Sequence, residues 1–393
     1  MIILIENGDV YAPEHKGRQS VLLFNDRIEK IGNVNRKALD ELGCEYEVID
    51  AEDCVIVPGI IDPHEHLLGG SGEGSLALQS PMLFITEIVR AGITTVVGTL
   101  GVDTTMKTLP GLLARVKALS EEGISTRMWT GGYNIPPVTI TGSVRNDMLF
   151  IDECVGAGEL AVSEERSLQT SMDELARHVL DAHIGGLLSG KAGVTHFHVG
   201  GGRQRLAPLR DLLENYEIKP EWLYPTHIER TPELIAEAIG LAREGSFVDL
   251  DVVEQKLAKH VKLYLDGGGP TDRLTISSDS DSSTPAILFD QICGLIVKEK
   301  LPLELVLGFC TSNPAKVLKL EKKGRLDEGN DSDVLVLRKG SFEIVEVIAG
   351  GKRMVRDGSV AVREKFLEES FRNVSLRGDK FEEDHLSLAD EPS

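Results

Sequence analysis

Two histidines at i and i+2, His64 and His66, close an apolar run that starts at Cys54. On a β-strand that spacing sets both imidazoles on one face, about 6–7 Å apart along the backbone. Neutral imidazole nitrogen is a common ligand for zinc, nickel, iron or manganese. Glu159, His198, His227 and Asp279 stand at the ends of later apolar runs. The six side chains offer four imidazoles and two carboxylates, a set able to hold two divalent metals with one carboxylate shared between them. Two metals bridged by a hydroxide lower its pKa towards neutrality and supply a nucleophile without a Ser or Cys.

Elements must bring these residues together. Between 57 and 318, β-type apolar runs alternate with helical periodicity. The runs are Val57–His66, Ile93–Gly98, Thr126–Gly131, Leu160–Ser163, Thr195–Val199, Leu223–His227, Phe247–Leu250 and Leu274–Ser278. Helical patterns fall at Leu112–Glu121, Met172–His183, Leu206–Asn215, Pro232–Arg243 and Pro285–Glu299. Eight strands with intervening helices predict an α/β fold, a (β/α)8 TIM barrel, whose site lies at the C-terminal strand ends where the candidates fall. Residues 1–56 and 319–365 are short β-branched runs broken by Asn-Gly and Asn-Asp turn signals. Neither set makes a stable sheet alone, so the two chain ends are expected to share one small β-sandwich. Residues 366–393 read as an acidic, solvated tail.

Composition narrows the function. The 393 residues suit one large α/β domain with a smaller one. A net charge of −21 argues against nucleic acid or an anionic membrane as partner. The five cysteines are scattered with no C-x-x-C pair, which fits a reducing compartment. The N-terminal Met-Ile-Ile-Leu-Ile-Glu lacks the charged region and length of a signal peptide. No run of 18 apolar residues exists to span a membrane, and the expected location is cytoplasmic.

The chain resembles the metal-dependent amidohydrolase superfamily and, within it, the bacterial isoaspartyl dipeptidases. The resemblance covers residues 1–365 and rests on Pro58–His66, Gly69-Gly-Ser-Gly-Glu-Gly74, Thr139-Ile-Thr-Gly-Ser-Val144, Ala161-Val-Ser-Glu-Glu-Arg-Ser167, Pro225-Thr-His-Ile-Glu-Arg230 and Ser277-Ser-Asp-Ser-Asp-Ser-Ser283. It implies two zinc ions per subunit, a hydroxide between them, and an oligomer, octameric in the family. It also implies that Asp279 takes a proton from the hydroxide and passes it to the leaving nitrogen, as an amide's poor leaving group requires. Glu73 is then the receiver of a substrate ammonium, and Arg166 and Arg230 of carboxylates in bidentate geometry. Ser283 donates a further hydrogen bond, and Tyr133 faces the developing oxyanion. Val102 and Ser71 depart from the family's usual threonine and glycine on the substrate side.

Glu159 falls where the family carries a carboxylated lysine that bridges the metals. Charge is kept, but the glutamate is shorter. Val155-Gly-Ala-Gly-Glu has one residue more than its usual counterpart, and a bulge there would push the carboxylate towards the metals. A single metal is the alternative. His196 would face the same way as His198 but one layer deeper, as a buried, hydrogen-bonded imidazole. The alternative activity is that of another amidohydrolase, acting on a cyclic amide (dihydroorotase- or hydantoinase-like) or an N-acyl amino acid. A non-catalytic barrel is a third reading, and complete retention of the ligand set speaks against it.

Overall fold

The computed structural model describes residues 1–371 apart from 42, 169, 282 and 369. Most of the acidic tail predicted for 366–393 lies outside them. The chain begins with β1 (Ile2–Tyr11), β2 (His15–Phe24), β3 (Arg27–Gly32), β4 (Glu47–Asp50) and β5 (Cys54–Pro58). Eight strands of the central region follow: β6 (Ile60–Glu65), β7 (Ile93–Gly98), β8 (Ser125–Thr130), β9 (Cys154–Val162), β10 (Val194–Val199), β11 (Leu223–Thr226), β12 (Val248–Asp251) and β13 (Leu274–Ser277). The chain closes with β14 (Val334–Arg338), β15 (Ile344–Ala349), β16 (Lys352–Arg356) and β17 (Ser359–Val360).

Strands from both chain ends form one sheet, in the order β17-β16-β15-β14-β5-β1-β2-β3 with β4 also on β1. The stitch is β5, parallel to β1 (Asp9 opposite Val55) and antiparallel to β14 (Val334 opposite Pro58). The strands of both chain ends are thus joined by hydrogen bonds into one nine-stranded sheet around a core that includes Ile3, Ile5, Leu23, Ile56, Val336 and Ile348. The expected strand Val57–His66 is two strands. Val57 and Pro58 pair into the terminal sheet, and the chain crosses to β6 at Gly59. A Cβ on Gly59 would stand 2.2 Å from the Thr94 hydroxyl, so no larger residue fits that crossing.

The central strands form a six-stranded parallel sheet, β11-β10-β9-β8-β7-β6, and a two-stranded parallel pair, β12-β13. The ladder does not run unbroken round a ring. At the β13–β6 seam the Asp279 amide donates to the His64 carbonyl (3.1 Å) and the His66 amide to the Ser280 carbonyl (3.3 Å). β6, β7 and β9 to β13 are buried at every position, as parallel strands covered on both faces must be. The covering helices include Leu109–Glu122, Met172–Ser189 and Pro232–Glu244. Thr108, Ser171 and Thr231 cap their N-termini by accepting a backbone N–H.

Candidate active site

The two ends of the central strands are unlike, and the chemistry sits at the C-terminal one. His64 and the adjoining His66 end β6, His198 lies near the end of β10, and His227 and Asp279 follow β11 and β13. Both His227 (φ 61°) and Asp279 (φ 45°) hold left-handed backbone. Such residues cost about 1–3 kcal/mol each and persist where the surroundings fix them. Here the turn aims each side chain into the strand mouth.

Glu159 reaches the same point by a bulge. Ala157 pairs with Thr195 and Leu160 with Phe197, so Gly158 and Glu159 together oppose the single residue His196. A Cβ on Gly158 would lie 2.7 Å from the His196 Cβ, which explains a glycine there. The Glu159 carboxylate is fully buried. Its oxygens lie 3.6 Å from Nε2 of His64 and of His66, 3.0 Å from His198 Nδ1 and 3.5 Å from His227 Nε2. Asp279 Oδ1 lies 3.2 Å and 3.1 Å from the Nε2 atoms of His64 and His66. All six predicted ligands therefore converge.

This donor set fits divalent metal. Three trios have ligand atoms within 4.8 Å of one another: His64, His66, Asp279; His64, Glu159, His227; and His227, Asp251, Asp279. His64 Nε2 and Glu159 Oε1 are buried without a hydrogen-bond partner. A buried polar atom left so costs about 1–3 kcal/mol, and a cation between the two would satisfy both.

The charges point the same way. Burial opposes a charged His64, yet Glu159 and Asp279 overcome it and raise its pKa well above the ordinary value. Burial likewise opposes ionisation of Glu159, but His64 and His198 hold its carboxyl well below the usual range. Asp279 is depressed against burial chiefly by His64. For His227, burial is outweighed by its bond to Asp251, and the pKa rises to about 9.

Neighbouring groups hold the ligands. His227 Nδ1 lies 2.6 Å from Asp251 Oδ2, and His64 Nδ1 lies 2.8 Å from His196 Nε2. His198 Nε2 is 3.1 Å from Glu164 Oε2. Sequence reasoning missed Asp251 and Glu164. Asp249 and Asp251 alternate on β12 with both side chains buried, a pairing that a strand reading of Val-Asp-Leu-Asp could have flagged.

Above the cluster opens a cavity of about 420 Å³. Ser71, Glu73, Val102, Tyr133, Arg166 and Arg230 line it, together with His66, His198 and Asp279. Arg166 donates through Nε and Nη2 to the two Glu164 oxygens, each at 3.0 Å, and through Nη1 to Glu73 at 2.7 Å. Tyr133 packs its ring 4.3 Å from that of His198. Burial, then Glu159, raises its pKa well above the ordinary value, so its hydroxyl stays a donor. Ser283 follows Asp279 on the same segment but is not part of this lining. A larger cavity of about 820 Å³, between the helices Ala207–Asn215 and Pro232–Glu244, contains none of these residues.

Known proteins match this arrangement. Residues 195–354 fit the Amidohydrolase family. The chain is 23% identical to the dihydroorotase of Lactobacillus johnsonii over 396 residues, covering 86% of this chain and 89% of that one. It is 38% identical to the crystal structure of the β-aspartyl dipeptidase from the thermophilic, keratin-degrading Fervidobacterium islandicum AW-1, with a TM-score of 0.87 over 92% of this chain and 98% of that one. The structure of that enzyme in complex with the β-Asp-Leu dipeptide matches at 36% identity, a TM-score of 0.87, and 92% and 97% coverage. With this identity over nearly the whole of both chains, and with a converging His and carboxylate cluster beneath an Arg- and Glu-rimmed cavity, the chain belongs to the β-aspartyl dipeptidases, metal-dependent hydrolases of the amidohydrolase superfamily.

Proposed function

We propose that this enzyme hydrolyses the side-chain amide of β-aspartyl dipeptides, and that His64, His66, Glu159, His198, His227 and Asp279 would hold two zinc ions, with Glu159 the carboxylate common to both. The observation that carries the reading is the placement of Glu73 beside two guanidiniums, Arg166 and Arg230, on the rim of a cavity floored by the candidate ligand cluster. A β-aspartyl dipeptide brings one ammonium and two carboxylates to such a rim.

Bound metal supplies a Lewis acid and a water acidic enough to attack an amide at neutral pH. The chain's own residues do the rest. Glu73 receives the α-ammonium. Arg230 receives a carboxylate in bidentate geometry, and Arg166, its Nε and Nη2 held by Glu164, receives one through Nη1. Tyr133 donates its hydroxyl to the carbonyl oxygen as negative charge develops there. Asp279 accepts the proton of the attacking water and gives it to the leaving nitrogen. Ser283 adds a hydrogen bond to substrate, and Ser71 and Val102 face the leaving residue. Without substrate, Arg166 Nη1 meets Glu73 at 2.7 Å while Nε and Nη2 stay on Glu164, so a zwitterionic end would take the place of the Glu73 contact.

The same reading makes the eight central strands a (β/α)8 barrel over 57–318, its seams at β11–β12 and β13–β6. Residues 1–56 and 319–365 form the accompanying β domain, the assembly is a homo-oligomer, and the setting is the cytoplasm. The deciding experiment measures metal content and activity on one purified sample against β-Asp-Leu, dihydroorotate and N-acetyl-aspartate. Turnover of β-Asp-Leu alone is expected, with about two metals per subunit. Absence of turnover on every β-aspartyl dipeptide tried overturns the reading.

A further inference from the structure

His196 is the one imidazole near the site that the proposed reaction does not use. It is completely buried and lies between two fixed partners. Its Nδ1 is 2.9 Å from the backbone carbonyl of Tyr224, and its Nε2 is 2.8 Å from His64 Nδ1. Its ring stacks on Trp129 (centroids 4.9 Å apart, 20° between planes) with Tyr224 4.6 Å away. Trp129 is itself tied down by its indole N–H to the Pro63 carbonyl at 3.0 Å. The ring therefore cannot swing to other partners.

The donors and acceptors then follow one after another. A carbonyl oxygen only accepts, so His196 Nδ1 carries a hydrogen. The Nε2 of neutral His196 is then an acceptor, and the hydrogen between the two rings belongs to His64 Nδ1. With Nδ1 protonated, His64 must present Nε2 as the atom that binds metal. That is the nitrogen lying 3.2 Å from Asp279 and 3.6 Å from Glu159 without a hydrogen-bond partner.

We propose that His196 is a positioning residue for the metal site: it takes the Nδ1 hydrogen of His64, fixes that ring's orientation and tautomer, and so commits His64 Nε2 to the metal. Partners that orient a ligating histidine commonly add about 10–100-fold to metal affinity. The role is coupled to the bulge in β9. Gly158 and Glu159 together oppose His196, so the segment that admits Glu159 to the cluster also packs against the Cβ of the residue that orients His64. A shorter bridging side chain is thus joined to a more strongly fixed ligand opposite it.

The inference rests on the metal-site reading above, and the test separates the two. Two variants of the full-length protein each keep one half of the His196 pairing. In His196→Gln the side-chain oxygen can occupy the Nε2 position and still accept from His64. In His196→Asn the amide can occupy the Nδ1 position and still donate to Tyr224, but nothing accepts from His64. Zinc dissociation constants are measured by chelator competition on metal-free protein, alongside the thermal midpoint of the metal-free state. The expected result is zinc affinity within about threefold of wild type for the Gln variant and about 10–100-fold weaker for the Asn variant, with similar midpoints. Equal affinity in both variants, whether strong or weak, overturns the role. Failure of wild type to bind zinc overturns the site reading instead. Should a variant not fold, ¹⁵N-histidine spectra of the metal-free wild type decide. Hydrogen on His196 Nδ1 and on His64 Nδ1 supports the role, and hydrogen on His196 Nε2 overturns it.

Discussion

With the pKa values of His64 and His227 raised, metal uptake at the proposed site is expected to release protons. His227 has its pKa raised to about 9 by Asp251 against the opposing effect of burial, and His64 is raised well above its ordinary value by Glu159 and Asp279. Between pH 7 and 8.5 the His227 ring carries a hydrogen on the nitrogen a metal would occupy, and His64 is shifted in the same direction. Each proton displaced makes apparent affinity rise about tenfold per pH unit while the pH stays below that group's pKa. His227 alone thus predicts about a 30-fold tightening across those 1.5 units, and any proton displaced from His64 steepens the dependence in the same direction. Apparent zinc dissociation constants at four pH values, from competition with a chelator of known pH dependence, give the slope. Calorimetry in two buffers of different ionisation enthalpy counts the protons independently. Asp251→Asn removes the hydrogen bond that raises His227, so about one proton should vanish from both measurements. A wild-type slope below about 0.5 per pH unit would refute the picture of a proton-filled site.

The same shift bears on stability. The folded pKa of His227, about 9, exceeds its unfolded value of 6.5. Its contribution to the metal-free fold is therefore full below pH 6.5 and lost as pH climbs through 9, on the order of 3 kcal/mol. Denaturant midpoints of metal-free protein should fall over that window, and a flat profile would contradict the shift. Asp279→Asn should cut kcat by at least about 100-fold while β-Asp-Leu still binds, and near-normal turnover would remove Asp279 from the proton-carrying role. Glu73→Gln should raise KM for substrates with a free α-amino group far more than for their N-acetylated counterparts; equal losses on both would contradict its role. Gly158→Ala places a methyl 2.7 Å from the His196 Cβ and 3.0 Å from its carbonyl oxygen. The strain should cost about 1–3 kcal/mol and lower metal content, and an unchanged melting temperature would show that the bulge can give way.

The convergence of the six candidates was legible because it obeys simple geometry. His64 and His66 share a strand face, and the remaining candidates terminate apolar runs that parallel strands bury throughout. The extra residue near Glu159 was legible too, as the two-against-one register opposite His196. What escaped was whatever depends on contacts between strands distant in sequence. Asp251 stands beside His227 only because β12 follows β11 in space; the alternating acids of Val248-Asp-Leu-Asp mark one strand face but not the histidine it meets. Glu164 lay inside a recognised motif, but its grip on Arg166 and His198 depends on how the chain turns after β9. The strand order of the terminal β region escaped for the same reason. Alternation shows which residues are inward, but the parallel pairing of β5 with β1 that makes one sheet is a long-range choice. Short-range spacing thus identifies the groups able to bind metal. The groups that fix those ligands' tautomers and charges come from neighbouring strands, and they decide whether a metal displaces the protons now held there.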